Sequence, residues 1–357
     1  MLLLFEHSVR VANAACQRDS IRNVAWSPGP CVARQSHGPG DHATARRCYW
    51  TNGAQRFATF IALMLIVGLV GCESEAGPQL AVKSVKYYSV PNDGARIPSP
   101  RGMFAATEQN ELYVLDNAGR VLVYNGEGEL IRQWRMPEYE IGRPEGVCRL
   151  QDGRIVVADT HYDRLVFFDS EGNVVKLMGE HGNGPGEFVY PVAVTQDSSQ
   201  NFYVGEYGDK NRVQKFDVDG NYLLEFGVHG EGPGEFQRPS GIVWHEGTVY
   251  VVDAFNNRIQ MFSDDGDFLG FFGESDKLTE LDYPYDITRC PDGRLFVVEY
   301  RSGRLSSFAA DGRLIGRFGT TGHGKNQLLT PWGLTAWSNS RVYIADTGNH
   351  RIVEIEL

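Results

Sequence analysis

The chain has 357 residues, 42% of them hydrophobic, and a formal net charge of −11. That is enough apolar content to bury a sizeable core, and the length alone allows two domains. The acidic balance argues against nucleic acid as a partner, because such binders need a basic footprint.

Residues 1–50 mix Arg, Gly, Pro, His and three cysteines with no sustained period. They read as an extension, either disordered or the product of an over-long gene start. "RRCYWTNGAQR" (46–56) then supplies positive charge without a nearby acid. "FATFIALMLIVGLVG" (57–71) supplies a 15-residue apolar core that ends at Cys72. Fifteen residues are short for a membrane span and suit a secretory signal. "LVGC" (69–72) resembles the bacterial lipobox, which implies cleavage before Cys72 and a lipid on that cysteine. The alternative is a plain signal peptide or anchor whose cysteine falls there by chance. We expect residues 1–71 to be extension and signal and 72–79 a linker. The remainder is then exported and membrane-tethered, facing periplasm or exterior. Residues 72–357 carry 27 basic and 42 acidic side chains, a formal charge of −15.

"LAVKSVKYYSV" (80–90) reads as a strand with no partner beside it. After it the chain becomes periodic. Pro100, Pro144, Pro191, Pro239, Pro284 and Pro331 recur 44, 47, 48, 45 and 47 residues apart. Each prolines opens a short strand, as in "GIVWH" (241–245), followed by a second, "TVYVVDA" (248–254). A polar loop ending in Arg leads to a third, "RIQMF" (258–262), and a turn leads to a fourth, "DFLGFFG" (267–273). Short runs rich in Val, Ile, Phe and Tyr, punctuated by Asp-Gly and Asn-Gly, are strand chemistry. Four strands per repeat of this length build a β-propeller blade. The sixth unit stops after three strands, so residues 80–90 should supply its fourth and remove an exposed edge. The expected fold is all-β: six four-stranded antiparallel blades over 80–357, closed by an N-terminal strand.

"PWGLTAWSNSRVYIADTGNHRIVEIEL" (331–357) resembles the NHL repeat: Pro-x-Gly-apolar, then Tyr-Val-Ala-Asp, then Asn-His-Arg-Ile. The other units match more loosely, and the likeness extends over roughly 80–357. The resemblance implies a propeller and leaves function open, since the family spans RNA binders, protein-interaction modules and enzymes. "HGNGPGEF" (181–188) returns as "HGEGPGEF" (229–236), similar to loops of six-bladed bacterial propellers. Without a lysine or a following helix these are not phosphate loops. They are expected to join blades, with Gly at positive φ and Phe as a plug.

Acids ending the second strands (Asp116, Asp159, Glu206, Asp253, Glu299, Asp346) precede arginines opening the third (Arg120, Arg164, Arg212, Arg258, Arg304, Arg351). One pair per blade is expected to order the loop between those strands. Function should lie where the repeats disagree. The residues after the prolines differ in every blade and should ring the channel: Arg101, Glu145, Val192, Ser240, Tyr285 and Trp332. Second-to-third loops on the same face add His161, Tyr162, Tyr207, Phe255, Tyr300 and His350. Asp286 stands where four blades have Gly and one has Ala193, and it either bonds to backbone or binds a ligand. Cys148 and Cys290 are expected as buried apolar residues, not as a disulfide or metal pair.

The resulting expectation is a non-enzymatic module without metal or cofactor. It binds a protein, peptide or glycan through Arg101, Glu145, Tyr285, Asp286, Tyr300 and Trp332. The alternative is a metal-dependent enzyme at the channel mouth, akin to propeller lyases that use zinc or lactonases that use calcium. The resemblance implies His after the prolines for the lyases, and this chain has none there. For the lactonases it implies a convergent Glu, Asn and Asp. Glu145 and Asp286 could contribute, but no Asn follows an anchor proline.

Overall fold

The computed structural model describes residues 77–357 except 93, 95, 96, 142 and 274–280. The signal-like segment, Cys72 and most of the expected linker lie outside the described residues.

Six four-stranded antiparallel sheets follow one another along the chain. In the fourth, Pro239–His245, Thr248–Asp253, Arg258–Ser263 and Phe268–Phe272 pair in that order. Second strands are buried on both faces, as in Ile155–Asp159, because blades stack face to face. Hence they read as unbroken apolar runs rather than alternating ones. The outer strand Val174–Met178 keeps only partial burial and leaves Val174, Val175 and Leu177 largely exposed. First strands of neighbouring blades touch in a closed cycle, so they line the central axis. The chain is a six-bladed β-propeller.

Closure follows the expected route. Ser84–Ser89 forms the outer strand of blade six, pairing from Ser84 opposite Glu356 to Ser89 opposite Arg351. The stitch begins earlier than the sequence suggests. Pro78 and Leu80 exchange backbone hydrogen bonds with Arg317 at 2.8 Å each, on the outer strand of blade five. Gly316 permits this, since a Cβ there would stand 2.8 Å from the Leu80 nitrogen. The chain therefore fastens the fifth blade before completing the sixth.

Cys148 and Cys290 are buried free thiols, and burial pushes each up to about 12.

Candidate binding site at the channel mouth

Each acid–arginine pair forms within its own blade, for example Arg258 Nε to Asp253 Oδ2 at 2.8 Å and Arg351 Nε to Asp346 Oδ2 at 2.7 Å. The others are Arg120–Asp116, Arg164–Asp159, Arg212–Glu206 and Arg304–Glu299. The residue before every one of these arginines has positive φ: Gly119, Asp163, Asn211, Asn257, Gly303 and His350. Gly, Asn and Asp tolerate that conformation best, which explains the polar loop chemistry.

The pairs do more than order their own loop. Arg258 Nη2 donates to the carbonyls of Gly232 and Glu235, and Asp253 accepts the Gln237 N–H. Thus the repeated loop is clamped by the blade it enters. Arg212 does the same to Gly184 and Glu187. Phe188 and Phe236 are wholly buried against Phe216 and Phe262, as plugs. A third copy was not legible in the letters. Gly322–Leu328 has the same parallel bridge (Thr321 with Leu328), with Asn326 at φ 59° in the position of Gly186. Gln327 Oε1 accepts the Gly324 N–H where Glu187 accepts that of Gly184.

These clamps fix the residues before the anchor prolines. Tyr190, Arg238 and Tyr283 all have positive φ, in a position where a following proline favours extended backbone. Their N–H groups donate to Asp163, Asn211 and Asn257 at 2.8 Å each. The strained backbone delivers three large side chains to the channel mouth. Sequence reasoning took the residue after each proline and missed these.

There the side chains meet. Tyr190 stacks on Tyr207 (5.1 Å), and the Arg238 guanidinium lies 4.3 Å from the Tyr207 ring centre. Tyr283 contacts Tyr300 (5.0 Å), Tyr300 contacts Tyr285 (5.9 Å), and Tyr285 stacks on Trp332 (5.0 Å). The Arg101 guanidinium lies over the Trp332 ring, 4.0 Å from its centre. A polar thread runs through this arc. Arg101 Nη1 donates to Glu145 Oε1 (3.2 Å), the Tyr285 hydroxyl to Glu145 Oε2 (3.2 Å), and Arg238 Nη2 to the Tyr285 hydroxyl (3.1 Å). Burial, helped by Glu145, holds Tyr285 well above the usual phenol range, so it stays a neutral donor. Burial lowers Arg101 and Glu145 opposes the shift; a guanidinium starts high enough to stay charged.

Five of the expected residues thus converge: Arg101, Glu145, Tyr285, Tyr300 and Trp332. Asp286 lies below them in the channel, on a cavity of 230 Å³ that Glu145, Tyr285 and Trp332 also line. Its two oxygens accept the backbone N–H groups of Ile287 (2.8 Å) and Leu334 (3.0 Å), linking blades five and six. Burial raises its carboxyl to about 7 against those two bonds. Val192 and Ser240 complete the ring of residues after the prolines; both are buried and line the cavity. His350 instead turns to the Ser99 hydroxyl (2.7 Å).

The metal donor sets do not fit. Among the described residues no group of three or more His, Cys, Asp or Glu could hold an ion. The two carboxylates of the channel already serve Arg101 and Tyr285 in one case and backbone N–H groups in the other.

Fold and repeat together define a class, the six-bladed β-propellers that carry an NHL-type repeat. Residues 135–210 match a family described as 6-bladed beta-propeller, and residues 328–355 match the NHL repeat. This chain is a six-bladed β-propeller whose last unit carries an NHL repeat. Among solved structures it is similar to virginiamycin B lyase from Staphylococcus aureus, at 13% identity and a TM-score of 0.55. That alignment covers 77% of this chain and 99% of the lyase. A putative gluconolactonase aligns at 12% identity and a TM-score of 0.56, over 78% of this chain and 93% of its own. A protein of unknown function from Bacteroides thetaiotaomicron aligns at 15% identity and a TM-score of 0.53, over 76% and 72%. At these identities the likeness is one of fold. No curated protein matches the sequence.

Proposed function

We propose that the protein is a non-enzymatic binding module that engages a protein, peptide or glycan through the channel mouth. The supporting observation is the continuous arc from Tyr190 to Arg101, assembled from side chains that the repeat does not share. Residues kept in every blade are accounted for by clamps and plugs. The mouth is left as a preorganised surface of aromatics and guanidiniums, a composition suited to recognition. The lyase and gluconolactonase among similar structures raise the enzyme reading, but no donor set for a metal is found among the described residues.

Site-directed photo-crosslinking in cells tests the proposal. A benzophenone amino acid replaces Phe255, which is 56% exposed on the mouth face, or Asp265, in a turn on the opposite face. The expected result is a discrete crosslinked species from position 255 alone. Equal labelling from both faces would contradict it.

The same reading places the propeller outside the cytoplasm on a lipid at Cys72, supported by the basic, apolar, "LVGC" succession. Such an anchor needs more than one acyl chain to hold firmly. Cys72→Ser should abolish metabolic labelling with palmitate, and a variant that still takes up label would remove the anchor from the account.

A further inference from the structure

The mouth holds more positive charge than its own residues neutralise. Arg101 and Arg238 both feed the Glu145–Tyr285 pair, so two guanidiniums share one carboxylate. Arg238 has no carboxylate within 4.0 Å among the described residues, and its charged contacts are the faces of Tyr207, Phe255 and Tyr285. Three polar atoms here lack any partner: Arg101 Nε, Arg238 Nε and Ser240 Oγ. Arg101 and Ser240 are each only 7% exposed, so these donors are desolvated whether or not they are used. An unpaired buried donor costs free energy, and a buried cation costs more. Ser240 lines the cavity, so a ligand oxyanion there would supply its hydroxyl with an acceptor that the protein itself does not. This local excess is notable in a region whose formal charge is −15.

The cavity beneath limits what carries the anion. Val192, Ile242 and Leu334 contribute apolar wall to its 230 Å³, room for a short aliphatic group.

Resting on the binding-module reading, we propose that the mouth captures the free C-terminal carboxylate of a peptide. Arg238 is its counter-ion, Arg101 and Ser240 are further donors, and the last side chain enters the cavity. Capture of a terminal carboxylate by fixed donors is an established recognition mode in general.

Calorimetric titration of the purified protein with N-acetyl-Ala-Ala-Leu, as free acid and as C-terminal amide, tests this. The free acid should bind at least about tenfold more tightly than the amide, as a charge-assisted hydrogen bond implies. Arg238→Gln should bring the acid down to the level of the amide. Ser240→Ala, a smaller change, should weaken the acid and leave the amide unaffected, which keeps the test valid if Arg238→Gln fails to fold. Equal binding of acid and amide, no binding of the acid at millimolar concentration, or an indifferent Ser240→Ala alongside an indifferent or unfolded Arg238→Gln would overturn the proposal. So would binding of galacturonate in place of the peptide. Crosslinks from position 255 that persist through such a failure would leave the binding module standing and remove only the carboxylate.

Discussion

Asp286 shows how one departure from the repeat is accommodated. At the equivalent position Gly102, Gly146, Gly241 and Gly333 each back onto the next blade so closely that a Cβ would collide with it. Asp286 instead spends both oxygens on backbone N–H groups, yet burial still raises it to about 7. A carboxyl whose folded pKa exceeds its unfolded value, near 3.9, binds more protons folded than unfolded between the two. Its contribution to stability is therefore complete below about pH 4 and is lost as pH rises through about 7. Asp286→Asn removes that titration. The difference in unfolding free energy between wild type and variant should shift in the variant's favour across this window, read from urea melts at several pH values. A pH-independent difference would show that folding leaves the Asp286 carboxyl's pKa unchanged. Five of the six expected site residues meet at the mouth, but Arg238, Tyr190 and Tyr283 could not be read there. Their placement depends on a left-handed residue preceding proline, a conformation that the letters do not announce.

At the scale of the element, the blade joint is a repeated device with interchangeable parts. Phe188 and Phe236 fill two joints and Leu328 a third, each in the lee of a clamp from the following arginine. The first two joints were legible because they kept nearly every letter. The third keeps only geometry: Asn for Gly at positive φ, Gln for Glu as acceptor, Leu for Phe as plug. Because the chain itself uses Leu, Phe236→Leu should cost only about 1 kcal/mol, whereas Phe236→Ala leaves a cavity worth about 3–5 kcal/mol. Chemical denaturation gives both values. A Leu variant as damaged as the Ala variant would mean that the ring stack of Phe236 on Phe262, and not plug volume, holds the joint.

For the whole molecule, closure explains why the fold could be counted from the sequence. A ring tolerates no fraction of a blade, so a three-strand final unit and an unpartnered N-terminal strand had to belong together, and they do. The added bond to blade five at Arg317 was not legible, because it uses backbone groups and a glycine rather than a pattern. Closing the ring in turn brings Arg101 of blade one against Trp332 of blade six and Glu145 of blade two, which completes the mouth. The account's central claim is that this mouth is the binding surface. The most direct measurement is the affinity, for the partner crosslinked at position 255, of Trp332→Ala and Tyr300→Ala, with Asp217→Ala on the opposite face as the comparison. Each aromatic change should weaken binding about thirty-fold, or about 2 kcal/mol, with little change in Tm, while Asp217→Ala binds as wild type. Unchanged affinity in both aromatic variants, or a collapse of Tm in both, would contradict the claim and return the arc to the core.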